Sequence, residues 1–157
     1  MNRPDTNSET YIVFEVAGTS YGISTKSVQQ VEMVEHITPL PNASAFVEGV
    51  VFTRGQVIPA INIRLRFGFE KTPHTTRTRL IVTNHGGRTV GLIVDSAREF
   101  MSLSNESIQP APDTVAGLSG KYLHGIVTIG DRIVLILDLA ELISNGNGQT
   151  RALALEA

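Results

Sequence analysis

The side chains that could take part in chemistry are few and lie far apart along the chain. The four histidines stand at His36, His74, His85 and His124. No two of them have the spacing of three to five residues that puts two metal ligands on one helix face. Cysteine is absent, as are the glycine motifs that cradle phosphates and the G-x-S-x-G nucleophile elbow. We therefore predict no enzyme activity, no metal site and no cofactor.

Arg54 is the charged residue that its surroundings single out. It stands at a turn beside Gly55, shortly after the apolar run 49–52. Arginine binds carboxylates bidentately and is enriched at protein interfaces, so Arg54 is a candidate anchor for a partner. The alternative is an ordinary surface charge at a turn, and the spacing alone favours this alternative.

The remaining charged residues indicate structure and not catalysis. Asp95 ends a strand and Asp138 begins a helical turn, so both are interpreted as capping residues. Several basic residues and one acid, Glu70, fall within 64–79. Such a segment could contact a phosphate backbone. Its few aromatic residues and the net charge of −2 for the whole chain favour a solvated connector instead.

These residues are carried by a chain of 157 residues, of which 41% are hydrophobic and 18% charged. This is the profile of one soluble globular domain, and the acidic balance argues against a dedicated nucleic-acid-binding protein. No apolar run approaches the ~18 residues of a membrane-spanning helix. The polar N-terminus is unlike a signal peptide. We therefore expect a cytoplasmic protein without direct membrane insertion.

The elements are predicted to be strands joined by tight turns. Apolar and β-branched runs flank four turns and indicate four hairpins, with turns at 17–20, 54–55, 84–87 and 130–131. Short helical turns are predicted at 24–31, 62–67 and 138–143. Asn62 and Asp138 stand where the N-caps of the last two should be.

The four hairpins are two copies of one pair. A shift of 69 residues brings Gly91 onto Gly22, and a shift of 76 brings 122–127 onto 46–51. A repeat that occurs only twice indicates a duplicated lobe, and closing five short strands into a barrel removes the unpaired edges of a small sheet. We predict a mainly all-β domain of two β-barrel lobes, with or without the chain crossing between them. The predicted ranges are a disordered tail 1–10, lobes at about 11–68 and 79–143, and a flexible tail 144–157.

Several motifs occur in collinear order over residues 11–143. They include Gly49-Val50, Arg54-Gly55 and Asn62-Ile63-Arg64, followed by matches in 90–95, 108–112 and 122–125. Together they resemble the CheW family, the coupling proteins of bacterial chemotaxis. The resemblance implies two five-stranded SH3-like barrels. It also implies a non-enzymatic scaffold that bridges chemoreceptor tips to the histidine kinase CheA, whose regulatory domain has the same fold.

The resemblance further implies that receptors bind in the groove between the lobes and the kinase on barrel surfaces. By matching motif, the partner-facing positions are Val28, Gly49, Arg54, Gly91, Val94, Ala97 and Phe100. Of these, Gly49, Gly91 and Val94 suit a structural role equally well. Two alternatives stay open: an adaptor paralogue in a non-flagellar chemosensory pathway, and a small β-barrel protein that binds nucleic acid or another ligand.

The sequence departs from the family pattern close to Arg54. Family members often have a glutamate that is thought to pair with this arginine, and Gln30 stands at that position here. Glu32 could replace the missing acid only if the strand carries a bulge. Arg54 is therefore predicted to pair with Glu32, with backbone carbonyls or with a carboxylate of a partner.

Overall fold

The computed structural model describes residues 8–111 and 120–144, and within them the chain forms ten strands and two short α-helices. The strands are β1 (Ser8–Val16), β2 (Thr19–Ser24), β3 (Val28–Met33), β4 (Val47–Thr53), β5 (Gln56–Asn62), β6 (Arg79–His85), β7 (Arg88–Val94), β8 (Ser96–Ser104), β9 (Leu123–Ile129) and β10 (Arg132–Leu137). The helices are α1 (Ile63–Arg66) and α2 (Leu139–Ile143). None of the helices in these ranges is long and apolar enough to span a membrane.

The strands form two five-stranded sheets with equivalent topology. The order is β8-β1-β2-β10-β9 in the first, named barrel A, and β3-β6-β7-β5-β4 in the second, named barrel B. Each of the strands β1–β5 corresponds to the strand five places later in the chain, so that β1 corresponds to β6 and β5 to β10. Exchanging corresponding strands converts one strand order into the other. The twofold repeat in the sequence is therefore also a repeat of the fold, and the predicted all-β class is confirmed.

The two repeats exchange strands between the barrels. Barrel A combines the first hairpin of the first repeat with the last three strands of the second, and barrel B does the reverse. The barrels are therefore not the contiguous ranges 11–68 and 79–143, because the chain crosses between them. The cause is the length of the connections. Only Asp95 separates β7 from β8, which is too short for a hairpin turn, so the chain continues into the other sheet.

Each sheet is closed into a barrel by an additional backbone bridge. In barrel B, Thr38 exchanges hydrogen bonds of 2.9 and 2.8 Å with Val50 of β4, which lies at the opposite edge of the sheet from β3. In barrel A, Gln109 and Ile126 of β9 make the same exchange at 2.9 and 2.8 Å. These bridges pair the edge strands that an open five-stranded sheet would leave exposed.

Glycine is required at both closures. A Cβ atom added to Gly49 would lie 2.1 Å from the carbonyl oxygen of Thr38, and the φ angle of 156° is itself unfavourable for other residues. A Cβ atom added to Gly125 would lie 2.8 Å from the carbonyl oxygen of Gln109. The closing segments can therefore approach their sheets only where a side chain is missing.

Three apolar cores hold the barrels together. The interior of barrel A is filled by Tyr11, Val13, Leu103, Val127, Val134 and Ile136. The interior of barrel B is filled by Val51, Ile58, Ala60, Leu80, Val82 and Ile93. A larger core between the barrels includes a row of aromatic rings, Phe14, Tyr21, Phe67 and Tyr122, with neighbouring centroids 5.1 to 5.9 Å apart. Burial of this shared face packs the two barrels against each other.

The predicted helix caps are confirmed. The Asn62 side chain accepts a hydrogen bond of 3.2 Å from the backbone N–H of Leu65 at the start of α1. The Asp138 side chain accepts one of 3.3 Å from the N–H of Glu141 at the start of α2. Both caps satisfy donors that a short helix leaves unpaired at its N-terminus.

Two segments differ from the predicted local structure. The helical turn predicted over 24–31 is limited to the 3₁₀ turn Thr25–Ser27, because the following residues pair with β6 as strand β3. Residues 8–10, predicted to be disordered, are the start of β1 and pair with β8. The rest of the predicted tails, 1–7 and 145–157, lies outside the described residues.

Candidate functional site

The turn between β4 and β5 presents Arg54 on the outside of barrel B. Arg54 and Gly55 have φ angles of 49° and 81°, the left-handed pair of a two-residue hairpin turn. Its exposed side chain makes no hydrogen bond or ion pair with any residue that the structure describes. On the adjoining strands, the cross-strand partners Phe52 and Val57 are 73% and 60% exposed. A free guanidinium thus lies beside two uncovered apolar side chains.

A polar network crosses the closing edge of barrel B next to this turn. The register of β3 shifts between Val28 and Gln30, so the bulge that the sequence analysis required is present. The Gln30 amide donates to Thr53 Oγ1 at 3.0 Å and also to the Glu32 carboxylate. Thr53 Oγ1 in turn donates to Glu32 at 3.1 Å. Glu32 is therefore occupied by Gln30 and Thr53, and Arg54 has no part in the network.

Further exposed apolar surface continues from Phe52 toward the end of β3. Met33 is 56% exposed, and it lines with Phe52 and Val51 a cavity of about 410 Å³ at the edge of barrel B. We define the hairpin patch as Met33, Phe52, Arg54 and Val57. Exposed apolar residues that cluster around a charged anchor are typical of a protein-binding surface.

A second group of candidates lies along the groove between the barrels. Ala97 and Phe100 of β8 pair with Phe14 and Ile12, whose side chains belong to the core between the barrels. Paired residues share one face of a sheet, so both β8 side chains face the groove. Ala97 is half-buried against that core, whereas Phe100 is 63% exposed. Phe100 therefore extends the apolar face beyond the contact between the barrels.

Val28 is the equivalent of Ala97 in the other barrel. The repeat shift of 69 residues relates the two positions, and Val28 is likewise half-buried against the core between the barrels. We define the groove residues as Val28, Ala97 and Phe100. The sequence-based candidates thus fall into two separate surfaces, the groove and the hairpin patch.

Three of the predicted partner-facing residues are buried and shape the fold. Gly49 lies at the closure of barrel B, as described above. A Cβ atom on Gly91 would lie 2.7 Å from the Leu80 side chain. Val94 is 1% exposed within the core between the barrels. None of the three presents a side chain to a partner, and each supports the structural interpretation that the sequence left open.

Asp95 joins the two barrels where the chain crosses. Its carboxylate accepts the backbone N–H of Ala17 at 2.8 Å and is held by Arg64 through Nε and Nη2, each at 3.0 Å. The N–H of Asp95 donates to the carbonyl oxygen of Glu15 at 2.9 Å. The interpretation of Asp95 as a cap is therefore wrong, since its partners lie on a hairpin turn and on α1.

The first residues of the basic segment 64–79 are packed against the barrels, as Arg66 shows. Its guanidinium lies 4.2 Å from the Phe46 ring centroid and 5.0 Å from that of Tyr122. It also donates to backbone carbonyls at the end of α2, including Leu142 at 3.1 Å and Ser144. Arg64 and Arg66 thus fasten the barrels together, and the predicted solvated connector begins only after α1.

Glu48 of β4 is the largely buried centre of a polar cluster. Its side chain is 9% exposed, and its carboxylate accepts a hydrogen bond of 2.6 Å from Asn62. His74 Nε2 lies at 3.1 Å and Lys71 Nζ at 3.6 Å. Burial raises the pKa of Glu48, but the hydrogen bonds from Asn62 and His74 and the charges of His74 and Lys71 outweigh it and lower the pKa below its usual value.

Within residues 8–111 and 120–144, no cluster of three or more histidines and carboxylates could hold a metal ion. The candidate binding residues that sequence reasoning missed are apolar: Met33, Phe52 and Val57. The signal that could have revealed them is strand alternation, in which successive side chains point to opposite faces. Phe52 follows the buried Val51 and therefore points outward.

Comparisons with known proteins identify the family of this two-barrel fold. A family model described as "CheW-like domain" matches residues 10–146. The chemotaxis protein CheW of Klebsiella aerogenes is 31% identical over 141 residues, which cover 90% of this chain and 85% of the relative. That of Bacillus subtilis is 30% identical over 142 residues, covering 90% and 91%. The crystal structure of the scaffolding protein TtCheW from Thermoanaerobacter tengcongensis superposes with a TM-score of 0.82 at 30% identity, covering 94% of this chain and 96% of that one.

Proposed function

The chain belongs to the CheW-like domain family, and we propose that it acts as a chemotaxis adaptor that couples chemoreceptors to the histidine kinase CheA. The observation that carries this function is the family match over residues 10–146 together with the two-barrel fold. The family consists of scaffold proteins, so the chain is not an enzyme. A nucleic-acid-binding barrel is not favoured, because the exposed candidate surfaces are apolar and the net charge is −2.

The two surfaces suit two different partners. We propose that the hairpin patch binds the regulatory domain of CheA and that the groove residues bind the receptor tip. The support for the first is the free guanidinium of Arg54 between Phe52 and Val57 on the outside of a barrel. The support for the second is Phe100, an exposed ring that continues the core between the barrels. Separate surfaces allow one adaptor to hold both partners at once.

The buried candidates take part indirectly in this proposal. Gly49 and Gly91 allow close approaches inside barrel B, and Val94 fills the core between the barrels. They maintain the shape on which both surfaces depend. The working location that follows is the cytoplasm, in receptor arrays at the inner face of the membrane.

Binding by two surface variants tests this proposal. We expect Phe52→Ala to weaken the complex with the CheA regulatory domain, measured by calorimetric titration, by about tenfold or more. We expect Phe100→Ala to weaken co-sedimentation with receptor signalling tips by a similar factor and to leave the kinase titration unchanged. Ile133→Ala removes an exposed apolar side chain from barrel A and is the matched control.

Two outcomes would contradict the proposal. Absence of any binding to the cognate kinase at about tens of micromolar would exclude the adaptor function, since a specific interface of ordinary size, ~1,200–2,000 Å², binds more tightly than that. Equal loss of both partners in each variant would exclude separate surfaces. Thermal unfolding of each variant checks that the barrels remain folded.

A further inference from the structure

The segment between α1 and β6 lies over the place where the barrels meet. Residues 69–78, which we name the strap, contain neither helix nor strand and are exposed from Phe69 to Arg77. The strap forms one wall of a cavity of about 290 Å³. The opposite wall includes Asn62, Arg64, Asp95 and Ser96, the residues around the crossing of the chain. The strap therefore covers the polar junction between the barrels.

The middle of the strap is attached at a single carboxylate. Near its start, the N–H of Phe69 donates to the carbonyl oxygen of Arg64 at 2.8 Å, and its end is folded into a turn. Between these points Lys71 and His74 contact Glu48 at 3.6 and 3.1 Å. Among the residues that the structure describes, these are the contacts of 71–74 with the barrels through hydrogen bonds or ion pairs. The Glu48 carboxylate thus holds both ends of the segment 71–74.

We propose that Glu48 is the latch of the strap: its carboxylate holds the strap in place as one wall of the cavity, and removing its charge releases the strap and widens the cavity. Outside this contact, Arg64 donates to the carbonyl oxygen of Glu70 at 3.4 Å and Arg79 donates to that of Thr76 at 2.8 Å, both toward the ends of the strap. The exposed side chains of residues 69–77 bury little apolar surface, so the middle of the strap depends on Glu48. Opening would expose further the partly buried Arg64–Asp95 pair that ties barrel A to barrel B. The latch is thus a built-in means of exposing the junction between the barrels, separate from both partner-binding surfaces.

A single introduced thiol measures the opening directly, because the chain contains no cysteine. Ser96 is 7% exposed and lines the cavity opposite the strap. We expect the thiol of Ser96→Cys to react with a soluble thiol reagent about tenfold faster when Glu48→Gln is present, the effect of losing one hydrogen bond to a charged group. Glu106→Gln removes an exposed carboxylate from another region and leaves the rate unchanged.

A second thiol separates opening of the strap from unfolding of barrel B. Thr83 on β6 is fully buried and is not among the residues that line the cavity. Because only unfolding of the barrel exposes Thr83, we expect Ser96→Cys to react faster than Thr83→Cys, both with and without Glu48→Gln. Equal rates at the two thiols would overturn the proposal, because they would mean that Ser96 is reached by unfolding and not by opening of the strap. An unchanged rate at Ser96→Cys would overturn it as well.

A variant of the strap keeps the test decisive if Glu48→Gln does not fold. The double variant Lys71→Gln and His74→Gln removes both tethers and preserves the contact of Glu48 with Asn62. We expect the same acceleration at Ser96→Cys in this background. A rate equal to that of the unmodified strap would show that these tethers do not hold it, and the proposal would fall.

Discussion

Barrels A and B share one topology but carry different chemistry on their outer hairpins. The shift of 76 residues brings β9–β10 of barrel A onto β4–β5 of barrel B. It matches Thr128, Gly130 and Ile133 in barrel A with Phe52, Arg54 and Val57 in barrel B. In each hairpin the first and the third of these residues are cross-strand partners. Barrel B thus has an aromatic ring and a guanidinium where barrel A has a hydroxyl and a glycine.

The buried positions of the two barrels are, in contrast, alike. The closures use Gly49 and Gly125 at equivalent places, and Gly22 and Gly91 stand at equivalent places in the second strand of each repeat. A close approach of backbone to backbone excludes every other residue, whereas the outside of a hairpin tolerates many. The comparison indicates that the two repeats keep the same geometry of closure and differ in the surfaces of their outer hairpins.

Alanine substitutions at Gly49 and Gly125 give the largest expected loss in the free energy of unfolding. Comparing the two losses measures how similar the closures of the two barrels are. The methyl group of Gly49→Ala would lie 2.1 Å from a backbone oxygen, at a φ angle of 156°. We expect a loss of about 3 kcal/mol or more in the free energy of unfolding. Gly125→Ala meets a side-chain methyl of Ile108 at 2.5 Å and a backbone oxygen at 2.8 Å. The backbone oxygen is farther away than at Gly49, and Gly125 has no left-handed φ angle that would add strain, so we expect about half the loss, measured by urea unfolding.

A third glycine isolates the contribution of backbone strain. Gly18 has a φ angle of 82°, and an added Cβ atom would meet nothing within 4 Å. Gly18→Ala should therefore cost only about 1 kcal/mol, the strain of a left-handed residue. If Gly49→Ala cost no more than Gly18→Ala, the close approach at Thr38 would not matter and the argument for glycine at the closure would fail.

The local parts of the fold could be predicted from the sequence, and the assembly of the barrels could not. Strands, turns and the caps Asn62 and Asp138 depend on neighbouring residues, so their patterns can be recognised directly. The exchange between barrels depends on contacts such as that of Ala17 with Asp95, which are 78 residues apart. No local pattern states which sheet a hairpin joins, because every hairpin offers an edge to either sheet.

The candidate site was predictable to a smaller extent. Motifs led to Arg54 and Phe100, and both are exposed. Phe52 was missed because an apolar residue in a strand is ordinarily buried. Glu48 was missed for the opposite reason, since an acid in a strand ordinarily faces water and this one is covered by the strap. The exposure of a side chain such as Phe52 or Glu48 depends on how the barrels assemble, and the sequence of a single strand does not determine it.

Exchanging the turn residues Arg54 and Gly130 tests whether the difference between the two hairpins affects binding. Arg54→Gly gives the turn of barrel B the glycine that barrel A has at Gly130, where φ is 59°. Glycine relieves the left-handed strain but increases the freedom of the unfolded chain, so we expect the free energy of unfolding to change by less than about 1 kcal/mol. On the proposed function, the affinity for the CheA regulatory domain should fall by up to about 2 kcal/mol.

The reciprocal variant is the control for this exchange. Gly130→Arg places an arginine on barrel A without the neighbouring Phe52, and we expect it to leave kinase binding unchanged. Titration calorimetry and urea unfolding measure the two effects separately. Normal binding by a folded Arg54→Gly protein would show that Arg54 is an ordinary surface charge at a turn.

Two carboxylates, one on each barrel, provide the smallest expected effect. Glu99 of barrel A pairs with Arg132 at 2.8 Å, with side chains 41% and 37% exposed, whereas Glu48 of barrel B is buried under the strap. The hydrogen bond from Arg132 is the largest cause and lowers the pKa of Glu99, burial opposes it, and the charges of Arg132 and Arg98 lower the pKa further. Both carboxylates therefore have a lower pKa in the folded chain than in the unfolded chain.

A lowered pKa stabilises the fold above the pKa of the unfolded chain, and this stabilisation is lost as the pH falls through the folded value. We expect Glu99→Gln to cost less than about 1 kcal/mol near neutral pH, because water screens an exposed pair, and to cost nothing in acid or in about 1 M salt. Glu48→Gln should cost more and respond less to salt, since its carboxylate is buried. Urea unfolding across pH and salt measures both, and equal costs would show that burial does not distinguish the two barrels.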